Sequence, residues 1–108
     1  MLPQLSAAQA IAAPCESVTD WWARHQSIAR GHADPIHQAI VGGFVADRVG
    51  WAFASGYQAA LRALFPDAPA DRLCAFCVTE ADGNSPKAIR SSLRKSGDAW
   101  RLDGAKRW

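Results

Sequence analysis

The sequence contains no hydrophobic run approaching the roughly 20 residues a helix needs to cross a bilayer, because Asp, Arg, His or Gly interrupts every apolar stretch. No membrane span is expected. Between Met1 and Pro14 there is no Lys or Arg, so the positive n-region of a secretory signal is missing, and Pro14 directly before Cys15 makes a poor lipoprotein site. Cysteine is scarce and odd in number, three in 108 residues, which fits a reducing compartment better than a disulfide framework. The expectation is a cytoplasmic chain. Repeats and low-complexity tracts are absent apart from an alanine bias.

Metal-ligand patterns are missing too. His25, His32 and His37 lack the i, i+4 spacing plus glutamate of a zinc-protease helix and are expected on the polar surface. Cys74 and Cys77 form a Cys-x-x-Cys, but they lie in Leu73-Cys-Ala-Phe-Cys-Val-Thr79, an apolar run that reads as a strand. Residues three apart in a strand point to opposite faces. Two packed thiols are therefore expected, and no metal is assigned.

What is present describes an ordinary folded chain. Hydrophobic residues make up 49% and charged residues 20% of the sequence, a balance that argues against wholesale disorder. At this length one core is the most to expect. The net charge of +2 hides an asymmetry: Gly83 to Trp108 carries +5 and the preceding 82 residues −3. A basic end attracts phosphate-bearing partners, although the commonest meaning of such a run is a solvated face. With Trp100 and Trp108 among the charges, a small nucleic-acid-binding module is one reading, but no groove-reading or stacking motif accompanies it, and no nucleic acid is expected as partner.

Up to about residue 65 the pattern is helical. Ser6 can cap a short alanine-rich turn, and Glu16 to about Arg30 reads as a helix that Gly31 would end. Asp34 can cap the next segment, with Pro35 at its first position, where a missing N–H costs nothing. The clearest helical stretch runs from about Phe44 to Phe65, stopped by Pro66, with Val41, Val45, Val49, Phe53, Ala60 and Leu64 tracking an apolar face. Its small residues, Ala52, Ala54, Gly56, Ala59, Ala60 and Ala63, suit close helix packing. Few partner helices are encoded, so a helical remnant that serves interaction or self-association is a second reading.

From Asp71 onward the texture changes to strands and turns. Glu80 to Pro86 is a loop by its turn residues, and Asp103-Gly104 is a hairpin signal between Trp100-Arg-Leu102 and Ala105-Lys-Arg-Trp108. The stretch from Ser85-Pro86 to Gly97 has a cap, a first-turn proline and a terminal glycine, which by local rules make a helix.

Leu73-Cys-Ala-Phe-Cys-Val-Thr-Glu80, a loop, a basic segment, Gly97-Asp98 and then Trp100-Arg-Leu-Asp-Gly-Ala-Lys-Arg-Trp108 resemble, in order and spacing, the start of the central β-domain of the acyl-CoA dehydrogenases. Ala46-Asp-Arg-Val-Gly-Trp-Ala-Phe-Ala-Ser-Gly-Tyr-Gln-Ala-Ala-Leu61 is similar, with weaker motifs, to the helical domain of one branch of that family. The resemblance implies an α+β fold, with a helical region over 1–70 and an incomplete antiparallel sheet or barrel over 71–108. It also implies strand rather than helix for roughly Lys87 to Ser96.

The resemblance further implies FAD as cofactor, an acyl-CoA substrate and a place in fatty acid metabolism. In that family the α proton of an acyl thioester goes to a base and the β hydrogen leaves as hydride to the flavin. Carried over position by position, Phe76 and Val78 would face the isoalloxazine, Thr79 would bond its polar edge, Ser85 would lie near the pyrophosphate, and Trp108 would stand beside the flavin. Taken by themselves, Phe76 and Val78 read as core, Thr79 as a β-former, Ser85 as a cap and Trp108 as a chain end. Asn84 and Pro86 depart from the family's Gly-Ser-Asp loop. No residue matches the family's catalytic base, so the resemblance implies an amino-terminal fragment that is inactive alone, marginally stable or self-associating.

Overall fold

The structure is a computed structural model and describes residues 14–107; the turn expected at Ser6, and Trp108, lie outside them. The chain divides into two compact units, Met1–Cys74 and Ala75–Trp108. The first is helical and the second carries the sheet.

Helix α1 spans Val18–Gly31. Its start is set by a reciprocal pair: the Asp20 N–H donates to Ser17 Oγ at 3.1 Å, and the Ser17 hydroxyl donates to Asp20 Oδ2 at 2.7 Å. This satisfies an otherwise orphaned amide and sets a carboxylate against the positive end of the helix. Helix α2 spans Pro35–Phe44, with Asp34 Oδ1 accepting from the Ile36 N–H at 2.8 Å and Pro35 in the first turn. Helix α3 spans Val49–Leu64.

The helix expected from Phe44 to Phe65 is thus shorter at its start and separate from α2. At residues 45–48 the chain breaks, because the Asp47 carboxylate is occupied outside any helix: Oδ2 accepts from the Cys15 N–H at 3.0 Å and from Arg48 Nη2 at 3.1 Å. Of the apolar face expected along this stretch Val41 is buried, at 2% exposure, but along α3 the face is overturned. Val49, Phe53 and Leu64 are 84%, 71% and 69% exposed, whereas Ser55, Gln58, Ala59 and Leu61 are buried. Polar positions turn inward because each has a specific partner. Ser55 Oγ accepts from Trp21 Nε1 at 3.1 Å. The Gln58 amide pairs with the Cys74 backbone at both ends, donating to its carbonyl at 2.8 Å and accepting from its N–H at 3.1 Å.

Close packing of α2 on α3 centres on Gly42, where a Cβ would come within 2.6 Å of Ser55 Cβ. Around that point lies a column of flat groups. Trp21 stacks on Trp51 (5.6 Å between centroids, 9° between planes), His25 stacks on both Trp21 and Trp22, and the Arg48 guanidinium lies 6.0 Å from the Trp51 ring. Offset stacking of this kind adds about 0.5–1.5 kcal/mol per pair beyond area burial. His25, expected on the surface, is instead 1% exposed. Its place at i+4 from Trp21 and i+3 from Trp22 puts it on the same helix face as both rings.

In the second unit a single 3₁₀ turn, Pro86–Ala88, precedes strands β1 (Ser92–Ser96) and β2 (Ala99–Asp103), which form a two-stranded antiparallel sheet. The class is α+β, helices followed by sheet. Between Lys87 and Ser96 the local helix signals yield only that short turn, and the second half is strand. The hairpin turn sits at Gly97-Asp98, not at Asp103-Gly104: Ser96 pairs with Ala99, and Gly97 has φ of +60° while Asp98 has no positive φ. That is the type II′ pattern, which needs glycine only at its first central position. Gly104 serves another purpose. Its φ is +151°, and a Cβ there would lie 2.0 Å from Ser91 Oγ and 2.8 Å from Ser91 Cα.

The strand expected over Leu73–Thr79 does not form. Among the described residues its backbone meets the Gln58 amide, the Arg107 N–H and the Lys106 ammonium, which is too few partners for a ladder. Cys74 is half-buried and Cys77 exposed, so the expected pair of packed thiols is not realised at Cys77. No helix among the described residues is long and apolar enough to cross a membrane.

Candidate functional site

Within the second unit, Glu80 is the one described residue classed as buried, at 6% exposure. Its backbone closes a tight turn, exchanging hydrogen bonds of 3.1 Å with Gly83 in both directions. Its carboxylate gathers three donors from distant positions. Oε2 accepts from the Arg90 N–H at 2.6 Å, and Oε1 accepts from the Ser91 N–H at 3.0 Å and from Lys106 Nζ at 2.6 Å. The Lys106 ammonium, followed by the donors of Ser91 and Arg90, lowers the carboxyl from its ordinary value to about 2.

Alongside this contact the Arg107 N–H donates to the Thr79 carbonyl at 2.7 Å, and Lys106 Nζ reaches the Val78 carbonyl at 3.4 Å. The Val78-Thr-Glu80 segment is thereby clasped to Lys106-Arg107, and the two blocks that carry the sequence resemblance come together. Gly104 allows the clasp, since the chain passes Ser91 at a distance no side chain would permit.

The structure brings only some of the expected site residues to this clasp. Val78 and Thr79 lie in it, half-buried. Phe76 is 56% exposed, two residues before it. Ser85 is exposed and acts as a cap, its Oγ accepting from the Lys87 N–H at 3.4 Å, which is the bland role its position allows. Trp108 lies outside the described residues. Glu80 and Lys106 were not among the expected site residues; the signal that could have found them is an acidic and a basic residue inside the two matched blocks.

These residues suit a flavin ring in part. Phe76 and Val78 offer apolar surface and Thr79 a hydroxyl next to the Glu80–Lys106 pair. For the pyrophosphate the loop offers the Ser85 hydroxyl, already engaged as an acceptor and flanked by Asn84 and Pro86. Among the described residues no group of three or more His, Cys, Asp or Glu side chains could hold a metal ion.

Comparison with known proteins returns no match: no family model, no curated protein and no solved structure matches the chain.

Proposed function

We propose that residues 71–107 form the beginning of the flavin-facing β-domain of an acyl-CoA dehydrogenase-like oxidoreductase. One observation supports this reading above others: the Thr79-Glu80 and Lys106-Arg107 positions, picked out by motif and 26 or more residues apart, meet through a part-buried 2.6 Å ion pair and a backbone hydrogen bond. Glu80 then has a structural part. It holds Val78 and Thr79 in place while the Thr79 hydroxyl and the Phe76 ring serve the cofactor.

FAD, when bound, supplies the acceptor for the hydride of an α,β-dehydrogenation. The chain's own contribution is to orient and polarise. Phe76 and Val78 exclude water from one side of the ring, and Thr79 donates or accepts at its polar edge. None of the described residues stands in for a catalytic base, and Glu80 cannot serve, because its lone pairs are committed to three donors and its carboxyl is held near pKa 2. No turnover of an acyl-CoA is expected from this chain alone.

The test is a titration of FAD with the chain, followed by flavin fluorescence and the visible spectrum. Saturable quenching that is lost in Phe76→Asp supports the reading. An unchanged flavin spectrum at millimolar chain contradicts it.

A second reading is favoured by a separate observation. On the helical unit Ile36, Val49, Phe53 and Leu64 are each at least 66% exposed, large apolar side chains whose burial against another surface would be favourable. We infer that this unit self-associates or docks on a helical partner. Sedimentation over a hundredfold concentration range that finds only monomer would remove this reading.

A further inference from the structure

We propose that the β1–β2 hairpin is a docking surface for an anionic lipid bilayer, on which it lies by the face that carries Leu93, Lys95, Trp100 and Leu102. The ladder register places these four together: Leu93 pairs with Leu102 and Lys95 with Trp100. Positions two apart along a strand share a face, and directly opposite side chains start about 5 Å apart. The four therefore form one patch. Arg94 and Arg101, paired with each other, lie on the reverse face.

The patch is open to water. Leu93, Trp100 and Leu102 are 60%, 65% and 73% exposed, and Lys95 beside them is exposed as well. A two-stranded hairpin is marginal in water and gains stability only when a further apolar surface covers it. Among the described residues β1 and β2 pair only with each other. A surface laid on this face removes three large apolar side chains from water.

Charge and composition select the occupant. Gly83 to Trp108 carries +5, so an anionic surface is favoured over a second copy of this chain, which would bring like charges together. Single-stranded nucleic acid needs cations on successive phosphates beside its stacked bases. On this face Lys95 alone could meet that need, since the two arginines lie on the reverse and Arg101 Nε is bound to Asp103 Oδ1 at 3.0 Å. The two leucines offer a base no ring to stack on. A bilayer makes different demands. Its interfacial layer accepts leucine and tryptophan side chains, with the indole N–H turned toward water, and Lys95 can extend its ammonium back to the phosphates. The field of an anionic leaflet extends about one Debye length, roughly 8 Å, so Arg94 and Arg101 add attraction without direct contact. The patch shares no residue with the flavin reading or with the exposed helical side chains, and stands or falls separately from both.

The experiment is sedimentation of the full chain with phosphatidylcholine vesicles that contain or lack phosphatidylserine, at low and at high salt. Binding to the phosphatidylserine vesicles is expected, weakened by salt and absent without the anionic lipid. Trp100→Ser should weaken it about tenfold or more, the loss of one buried aromatic side chain, and Lys95→Gln about fivefold, the loss of one cation. A measurement on the unaltered chain keeps the result independent of hairpin stability: amide broadening by a spin-labelled lipid in bicelles of the same composition should be strongest over 93–95 and 100–102. No sedimentation with the anionic vesicles overturns the proposal, as does binding that is indifferent to phosphatidylserine, affinity unchanged in Trp100→Ser, or broadening centred on α1–α3. Tighter binding of a single-stranded oligonucleotide at the same salt overturns the choice of a lipid surface as partner.

Discussion

Glu80 and Lys106 stand 26 positions apart in sequence and 2.6 Å apart in space, with the Glu80 carboxylate 6% exposed. Removing Lys106 leaves the buried Glu80 carboxylate without its one cationic partner, with only the Arg90 and Ser91 N–H groups to hold its charge, which is a costly case. Lys106→Met is therefore expected to unfasten the second unit while α1–α3 persist. Loss of amide dispersion for residues 78–107, with helical circular dichroism retained, checks this.

The same residue sets an acid limit. The folded carboxyl titrates at about 2, below its ordinary value of 4.5. Its contribution is complete above about pH 4.5 and is lost as pH falls through 4.5 toward 2. Carboxyl NMR of Glu80 should show a midpoint well below the ordinary glutamate value of 4.5. In Glu80→Gln the acid-induced loosening of this unit should vanish from that window.

His25 gives the helical unit a different pH dependence. Burial, aided by the charge of Arg62, lowers its pKa below 6.5. An unfolded chain takes up the proton more readily than the folded one, so stability is present above about pH 6.5 and falls as pH drops below it. His25→Phe keeps a ring in the stack between Trp21 and Trp22 and removes two buried unpartnered nitrogens. Its melting temperature is expected to be flat across that range, where the parent's declines.

At the α2–α3 contact, Gly42→Ala forces a Cβ to within 2.6 Å of Ser55 Cβ. Overpacking of this kind costs about 1–3 kcal/mol. Ser55→Gly placed in the same chain should recover part of the loss, but not all, since Trp21 Nε1 then lacks its acceptor. Urea unfolding of the single and double variants measures both terms.

Local signals were readable wherever a backbone need is met by a neighbour in sequence. Asp34-Pro35 marks the start of α2 because its cap and its proline act within three residues, and Pro66 limits α3 for the same reason. Tertiary partners left no such trace. The Asp47 carboxylate breaks the helix expected from Phe44 because it binds Cys15, 32 positions earlier. Ser55 and Gln58 face inward because Trp21 and Cys74 wait for them, and this turns Val49 and Phe53, apolar by pattern, out to solvent. Both Gly97-Asp98 and Asp103-Gly104 carry turn residues. The difference between them lies in the ladder register, Leu93 with Leu102 and Arg94 with Arg101, which periodicity does not encode. At the candidate site, the motif blocks named Val78 and Thr79, while the Glu80–Lys106 pair that joins those blocks emerged only in three dimensions.

The most direct measurement of the flavin reading is an amide-shift map of the chain during FAD addition. The account predicts saturable shifts clustered at Phe76, Val78 and Thr79 and at Gly104 to Arg107 across the clasp, diminished in Lys106→Met. Shifts confined to α1–α3, or none at all with the clasp intact, would contradict it.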